Sequence, residues 1–231
     1  MDLRNISVDL YLIRHAEPAS LPNHWTSPET SLSDLGIFQA QNVAQRLKSH
    51  SLDVLITSPL IRARQTAELI RKEYQNVLPF QIQSWLAEID LGGFGGLHKN
   101  AMKQYFPNLP ELPLWDPKFP APLVARLLAQ SKEFTFPSGE NLKEFWDRVN
   151  KGLSQLMTQF IGTTDKRIGL VGHGGSFTVI VLSLIGKNFI DNNFPVFFFN
   201  KGDFTIIRIV NKQVLFLQIN PILYITQKSN K

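Results

Sequence analysis

The sequence predicts an α/β fold of three layers, in which helices cover both faces of a mostly parallel β-sheet. Short apolar runs of strand composition alternate along the chain with segments whose apolar residues recur at helical spacing. Hydrophobic residues make up 43% of the 231 residues, which is enough for a sizeable core. This length fits one large α/β domain or two small ones, and we predict a single domain over residues 1–231.

The first half of the chain supplies two strand–helix units. Apolar runs at Val8 to Ile13 and Asp53 to Thr57 are typical of buried strands. Ser33 is predicted to cap the first helix, and Ser58-Pro59 to supply the N-cap and first residue of the second. The predicted apolar faces are Ile37, Ala40, Ala44 and Leu47 in the first helix and Leu60, Ala63, Ala67 and Ile70 in the second.

The middle of the chain is less regular. Gln81 to Leu86 is predicted as a third strand, and the glycines among residues 91–96 predict a loop after it. Seven prolines interrupt residues 99–137, where only Leu123 to Ala129 has helical composition. Because long loops in compact domains are often lids or binding segments, we predict that residues 99–137 form an insertion over one face.

The remaining elements follow this insertion. Asn141 and Glu144 form a capping-box pattern at the start of a helix. A buried strand is predicted at Ile168 to Val171 and a helix at Ser176 to Leu184. The final pair of strands is predicted as a hairpin of Thr205 to Val210 and Val214 to Ile219. The helix that begins at the capping box has an apolar stripe of Leu142, Phe145, Val149, Leu153, Leu156 and Phe160.

Composition excludes several kinds of site. The chain has no cysteine, which excludes disulfides, thiolate metal sites and a cysteine nucleophile. The net charge of +5, from 24 basic and 19 acidic residues, favours anionic ligands. The basic residues are scattered and no recognition motif accompanies them, so nucleic-acid binding is not predicted. Residues 1–8 lack the apolar core of a signal peptide, and no apolar stretch approaches the roughly 20 residues of a membrane span. We therefore expect a cytoplasmic protein without membrane contact.

Two histidines follow predicted strands at the sheet edge where ligands bind. In open parallel sheets this is the edge formed by the carboxyl ends of the strands, and His15 and His173 both lie there. His24, His50 and His98 fall in predicted loops or at a helix end, and we predict that they are surface residues.

Cationic and glycine residues around these histidines predict a phosphoryl site. Arg14 offers planar, bidentate donors for phosphoryl oxygens beside the His15 imidazole. Arg62 lies in the first turns of a helix, where free N–H groups and the helix dipole favour anions, whereas Arg64 is predicted to be a solvated surface cation. The glycines around His173 allow backbone to approach a ligand closely.

A general acid is predicted near the glycine loop. Partial burial of Glu88 would raise its pKa and keep the carboxyl protonated, as a general acid requires. Asp90 is the rival candidate, and residue type alone does not separate the two.

Taken together, these segments resemble the histidine phosphatase superfamily, also called phosphoglycerate-mutase-like. Residues 12–17, Leu-Ile-Arg-His-Ala-Glu, resemble its Arg-His-Gly-Glu signature. Residues 58–68 are similar to its second arginine motif, residues 86–97 to its acid loop and residues 171–175 to its second histidine motif. Further matches lie at residues 32–40 and 137–149.

The resemblance implies roles for the candidate residues. His15 would attack phosphorus and become phosphohistidine, and Glu88 rather than Asp90 would protonate the leaving group and then help to activate water. No metal or cofactor is implied, because cationic side chains would stabilise the transferred charge. The residues implied to bind the phosphoryl oxygens are Arg14, Arg62 and His173, and we add the backbone at Gly174.

Two departures from the family pattern stand out. Ala16 occupies the position where the family usually has glycine, and alanine would be strained by about 1 kcal/mol or more if that position required a positive φ. Residues 18–29 do not match the substrate-contacting segment of the mutases, so Asn23 is not assigned to the asparagine found there.

The predicted activity is hydrolysis of a phosphomonoester on a small metabolite or a protein side chain. The mismatch at residues 18–29 and the insertion argue against a mutase, which stays open as an alternative. A phospholigand-binding protein without catalysis is a second alternative. Within the insertion, Trp115, Lys118 and Phe119 are candidate substrate contacts, although packing of the lid is the simpler interpretation of the two aromatics. Substrate identity and oligomeric state are not predicted.

Overall fold

The computed structural model describes residues 3–98, 135–187, 197 and 199–218. The predicted insertion therefore lies almost wholly outside the described residues, together with its helix at Leu123 to Ala129 and its candidate contacts Trp115, Lys118 and Phe119. Ile219, at the end of the predicted hairpin, also lies outside them.

In the described part of the chain, six strands form one mixed sheet. They are β1 (Ser7–Arg14), β2 (Val54–Thr57), β3 (Phe80–Ile82), β4 (Lys166–Gly172), β5 (Phe204–Val210) and β6 (Gln213–Gln218). The strand order across the sheet is β3-β2-β4-β1-β5-β6. The first four strands in this order run parallel, whereas β5 and β6 are antiparallel to their neighbours. A mostly parallel sheet and a terminal hairpin are thus confirmed.

Within the described residues, four helices cover the two faces of the sheet, as the side chains of β1 show. The helices are α1 (Asp34–Lys48), α2 (Ile61–Glu73), α3 (Leu142–Thr158) and α4 (Gly174–Leu184). Leu10 and Leu12 of β1 pack in one core with residues of α3 and α4. Tyr11 and Ile13 pack in a second core with residues of α1 and α2. Because successive strand side chains point to opposite faces, these two cores confirm the three-layer α/β/α arrangement.

Side-chain caps begin two of these helices as predicted. Ser33 Oγ accepts a hydrogen bond from the Gly36 amide at 3.1 Å at the start of α1. At the start of α3, Asn141 Oδ1 accepts from the Glu144 amide and Glu144 Oε2 accepts from the Asn141 amide, which is the predicted capping box. Ile37, predicted on the buried face of α1, is instead 42% exposed.

The start of α2 differs from the prediction. The helix begins at Ile61, and its N-cap is Leu60, which has no side-chain cap bond. The prediction that Ser58 caps this helix is therefore wrong. Its hydroxyl accepts a hydrogen bond from the Leu60 amide before the helix and also contacts His173, so it is committed to the site described below.

The third strand is shorter than predicted. It ends at Ile82, and Ser84–Leu86 forms a 3₁₀ turn. Trp85 and Leu86 are consecutive and both buried in the core that contains α3. An extended strand would point them to opposite faces, so burial of both on one side requires the chain to turn.

No helix in the ranges described is long and apolar enough to cross a membrane.

Candidate active site

The candidate site lies at the carboxyl ends of three neighbouring strands. His15 directly follows β1, Ser58 follows β2 and His173 follows β4. The His15 amide donates to the Gly172 carbonyl at 3.0 Å, and the Ser58 amide donates to the Val171 carbonyl at 2.9 Å. These bonds extend the sheet ladder to the site, where the loops enclose a pocket of about 710 Å³.

The neighbours of His15 determine which of its ring nitrogens carries the proton. Nδ1 lies 2.8 Å from the Ala16 carbonyl, and because a carbonyl oxygen can only accept, Nδ1 is the protonated nitrogen. Nε2 accepts a hydrogen bond from Arg62 Nε at 3.3 Å. Burial, and then the charges of Arg62 and Arg14, lower the pKa of His15 well below its ordinary value. His15 is therefore neutral at pH 7, with a lone pair on Nε2.

Arg62 bridges the two histidines. Besides His15, its guanidinium contacts His173 Nδ1 through Nη2 at 3.3 Å and donates from Nη1 to the Ser27 carbonyl at 3.0 Å. Only 4% of the residue is exposed. Burial lowers its pKa to about 10, which still leaves Arg62 charged at neutral pH. The imidazole centroids of His15 and His173 are 5.0 Å apart.

His173 is held from its other side by Ser58. Because arginine can only donate, the Nδ1 atom that faces Arg62 is the acceptor of the neutral ring. His173 Nε2–H then donates to Ser58 Oγ at 2.8 Å. Burial and the charge of Arg62 lower the pKa of His173 well below its ordinary value. Ser58 is a site residue that sequence reasoning missed, because its place before a helix favoured interpretation as an N-cap.

Arg14 is the last residue of β1, and its side chain lines the pocket. Its Nη1 donates to the Phe199 carbonyl. Within the described ranges its enclosed Nε has no hydrogen-bond partner. Its guanidinium lies against Gly174, where an added Cβ would be 3.6 Å from Cζ. Burial lowers the pKa of Arg14, and the charge of Glu88 opposes that shift.

The structure separates the two candidate acids. Glu88 is half-buried in the pocket wall, and its carboxylate accepts from the Gly175 amide at 3.0 Å and from the Ile89 amide at 3.1 Å. Asp90 is exposed, and its Oδ1 accepts from the Gly92 amide at 2.8 Å. Glu88 thus reaches the N-terminus of α4 beside His173, whereas Asp90 stabilises the glycine turn.

Arg148 holds the segment that carries Glu88. Its Nε and Nη2 donate to the two carboxylate oxygens of Glu140 at 2.6 and 2.7 Å. Its Nη1 donates to the carbonyls of Trp85 and Ala87, and Nη2 donates to that of Glu88. Arg148, which is itself held by a bidentate ion pair with Glu140, therefore anchors the backbone carbonyls of Trp85, Ala87 and Glu88.

Comparison with known proteins places the chain in a family. The family model described as histidine phosphatase superfamily, branch 1, matches residues 10–220. The chain belongs to the histidine phosphatase superfamily. All the residues of the site lie within the matched range.

Relatives within the superfamily carry two kinds of name. A 2,3-bisphosphoglycerate-dependent phosphoglycerate mutase of Methylocella silvestris is 28% identical over 76% of this chain and 80% of its own. The solved α-ribazole phosphatase of Shigella flexneri is 25% identical with a TM-score of 0.71, over 92% of this chain and 96% of its own. A mycobacterial glucosyl-3-phosphoglycerate phosphatase, 19% identical with a TM-score of 0.71 over 93% of this chain and 99% of its own, shares the fold.

Ala16, the departure from the superfamily signature, is accommodated without strain. Its φ is not among the positive values found in the described residues, so the predicted cost does not arise. Ala16 is fully buried beside Leu32 and Ala40, and its amide donates to Thr66 Oγ1 at 3.1 Å. A methyl group at this position fills the small core under the signature loop.

The remaining candidates lie as follows. His24 is partly buried in the pocket wall rather than on the outer surface, and Asn23 beside it is exposed with a φ of 58°. His50 contacts the Tyr11 hydroxyl at 3.2 Å, and His98 is exposed. Arg64 is exposed and forms an ion pair with Glu68 at 3.8 Å, as expected of a surface cation. In the part of the chain that the structure describes, no three His, Asp or Glu side chains are grouped as metal ligands.

Gly175 is a second site residue that sequence reasoning did not single out. A Cβ at this position would lie 2.1 Å from Glu88 Oε1, so Gly175→Ala would displace the carboxylate. We expect kcat/KM for an alkyl phosphate to fall about 10²-fold, because a displacement of about 1 Å of a reacting group has this effect. Gly93→Ala, whose Cβ would have its nearest neighbour at 3.9 Å, is the matched control and should retain activity. Equal activity of the two variants would contradict this role of Gly175.

The buried neutral histidines predict a loss of stability in mild acid. Below about pH 6.5 the unfolded chain binds protons at His15 and His173 that the folded protein does not bind. For each histidine, the free energy of unfolding should therefore decrease by about 1.4 kcal/mol for every unit by which the pH is lowered below this value. Urea unfolding at pH 7.5, 6.5 and 5.5 measures this slope. A His15→Gln/His173→Gln double variant should flatten it, and an unchanged slope would contradict the assignment.

Proposed function

We propose that this protein hydrolyses phosphomonoesters through a phosphohistidine intermediate at His15. One observation carries the proposal: the unprotonated Nε2 of a buried, neutral His15 lies 3.3 Å from the guanidinium of a buried Arg62. A nucleophile is thereby held next to a fixed cation that suits the charge of a phosphoryl group.

In the first step, a phosphoryl group binds to Arg14 and Arg62 beside His173, with the backbone of Gly174 alongside. His173 Nδ1 takes up a proton from the bound monoanion, which lets the ring donate to a phosphoryl oxygen. Phosphoryl oxygens replace the histidine nitrogens as acceptors for Arg62, which frees the lone pair of His15 Nε2. The enclosed Nε of Arg14 supplies a further donor. The nitrogen attacks phosphorus and the bond to the leaving oxygen breaks.

Glu88 supplies the proton that the leaving alkoxide needs. A phosphoryl dianion beside this carboxyl favours its protonated form, because like charges repel. In the second step the Glu88 carboxylate takes a proton from water, whose oxygen attacks phosphorus as the N–P bond breaks. Inorganic phosphate leaves, and His15 and Glu88 return to their starting protonation states. The cationic side chains stabilise the equatorial charge throughout, so we propose that no metal is required.

The direct test is to trap the intermediate. Protein mixed with a ³²P-labelled phosphomonoester and quenched in alkali should carry an acid-labile, base-stable label on the peptide that contains His15. Hydrolysis of p-nitrophenyl phosphate should be unaffected by EDTA. Turnover without any labelled histidine, or turnover abolished by EDTA and restored by a divalent cation, would refute the proposed mechanism.

Glu88→Gln should discriminate between substrates by their leaving groups. With an alkyl phosphate, whose alkoxide must be protonated, we expect kcat to fall by about 10²- to 10⁴-fold. With p-nitrophenyl phosphate the leaving group departs as an anion, so the phosphoryl-transfer step should be affected much less. A rapid-quench burst of p-nitrophenol measures that step separately from dephosphorylation.

Asp90→Asn is the matched control for Glu88→Gln. It alters a carboxylate two residues away whose bonds are to the glycine turn, so both substrates should be hydrolysed at close to wild-type rates. The assignment of the acid to Glu88 would fail if Asp90→Asn showed the larger loss with the alkyl phosphate.

A phosphoglycerate mutase is the second candidate, because curated relatives 26–28% identical carry that name. A mutase would convert 3-phosphoglycerate to 2-phosphoglycerate after priming with a bisphosphate, without net release of inorganic phosphate. A hydrolase would release phosphate stoichiometrically. Following both products by ³¹P NMR distinguishes the two activities in one sample.

A further inference from the structure

We propose that the substrate's leaving group is uncharged and largely apolar. This inference rests on the proposed function, since it concerns what is esterified to the phosphoryl group. Two properties of the described pocket lining carry it. Every arginine and lysine outside the phosphoryl site is paired with a carboxylate of the protein, and five of the nine lining residues of the outer wall are apolar.

Four arginine and lysine side chains line the pocket within the described ranges, and only two serve the phosphoryl site. Arg14 and Arg62 flank His15. Arg148 is bound by both carboxylate oxygens of Glu140 and by several backbone carbonyls.

Lys201 is the fourth cation. Its Nζ donates to both carboxylate oxygens of Glu17, at 2.8 and 2.9 Å. Asp90, which also lines the pocket, is exposed and carries a negative charge. The described lining therefore holds no uncommitted cation for a second anionic group, and an acidic leaving group would meet repulsion from Asp90.

The outer wall is formed by residues 18–28. Nine of these residues line the pocket: Pro18, Leu21, Pro22, Trp25 and Pro28 are apolar, Ser20, Asn23 and Thr26 are polar but uncharged by residue type, and His24 is polar and half-buried. Leu21 is 67% exposed in the open pocket. Exposed apolar surface in a concave site is characteristic of a contact surface for an apolar ligand group.

This wall is held next to the phosphoryl site. The Ser27 carbonyl accepts from Arg62 Nη1, and the Trp25 backbone exchanges hydrogen bonds with Gly96 and Leu97 at 3.1 and 2.9 Å. A phosphoryl group bound to Arg62 therefore lies next to residues 18–28, within reach of its ester substituent. The contacts available there combine apolar side chains with uncharged hydrogen-bonding groups and include no arginine or lysine.

The test compares three substrates of similar shape: phenyl phosphate, 4-carbamoylphenyl phosphate and 4-carboxyphenyl phosphate. The carbamoyl compound matches the size of the carboxylate compound without its charge. We expect kcat/KM for the carboxylate compound to be at least about tenfold lower than for the carbamoyl compound. Equal or faster turnover of the carboxylate compound would overturn the inference.

Binding measurements distinguish a failure of this inference from a failure of the proposed catalytic function. Dissociation constants of the same three compounds, measured calorimetrically on the full-length wild-type protein with non-hydrolysable phosphonate analogues, should follow the same order. If the order holds but no ester is turned over, the proposed function fails and the preference stands. If the carboxylate analogue binds as tightly as the carbamoyl analogue, the preference fails whatever the turnover.

A variant should reverse the preference. Leu21→Lys places a cation in the wall and should raise the ratio of carboxylate to carbamoyl turnover by about tenfold. Val77→Lys adds the same charge at a residue that is 80% exposed and outside the pocket lining, and should leave the ratio unchanged. Equal ratios in the two variants would overturn the placement of the leaving group against residues 18–28.

Discussion

His15→Ala is expected to lower kcat for phosphoester hydrolysis by at least about 10³-fold and to abolish the labelled phosphohistidine. The variant removes the only nitrogen lone pair that the structure presents to Arg62 from the signature loop. His173 cannot substitute for it, because both nitrogens of its ring are engaged, Nδ1 by Arg62 and Nε2 by Ser58. The measurement is steady-state phosphate release together with rapid-quench labelling.

His50→Gln is a suitable control for this loss. It removes a histidine that contacts Tyr11 and does not line the pocket, so phosphate release and labelling should both persist. A thermal melt of each variant establishes that the protein is folded. Wild-type labelling in folded His15→Ala would show that the phosphoryl group is carried elsewhere.

Arg62→Ala is expected to lower kcat by about 10²- to 10³-fold, which is typical for the loss of a preorganised donor to developing charge. Arg62→Lys should restore little of this activity, because one ammonium cannot occupy the positions of Nε and Nη2, which contact both histidines at once. Inorganic phosphate should also raise the melting temperature of Arg62→Ala less than that of the wild type.

Arg62→Ala should also shift the pH dependence of kcat/KM. The charge of Arg62 lowers the pKa of His15, so its removal raises that pKa towards the ordinary value. Protonation, which removes the nucleophilic lone pair of His15, then occurs at a higher pH. The acid limb of the kcat/KM profile should therefore move to higher pH. Arg64→Ala removes an exposed cation two residues away and should change neither rate nor profile. An unchanged acid limb in Arg62→Ala would contradict the proposed contact.

Local sequence patterns predicted the regular elements well wherever one periodicity governed the segment. The capping box at Asn141 and the strand at Ile168 to Val171 are examples, since each follows from residues close together in the chain. The errors lie where a residue is used by a distant partner. Ser58 has the composition of an N-cap, but its hydroxyl contacts His173, 115 residues away. Trp85 and Leu86 turn out of the predicted strand because both are buried against the helix that follows the insertion.

For the candidate site, too, local sequence predicted some features and contacts between distant segments decided others. Residue types and their order along the chain were sufficient to single out His15, Arg62 and His173, because phosphoryl chemistry needs a nucleophile and cations. Glu88 was preferred to Asp90 only through the resemblance to the superfamily. Which ring nitrogen carries the proton, and how Arg62 is shared between the two histidines, depend on contacts between β1, β2, β4 and α2.

The sequence by itself therefore determined the layer architecture, the superfamily resemblance and the residue types at the sheet edge, since these depend on periodicity and short motifs. The tertiary structure alone decided that Glu88 rather than Asp90 reaches α4, that Ala16 is unstrained and that Lys201 is paired with Glu17. The physical reason is that hydrogen bonds, burial and charge pairing depend on distances between segments far apart in the chain, and those distances exist only once the sheet has assembled.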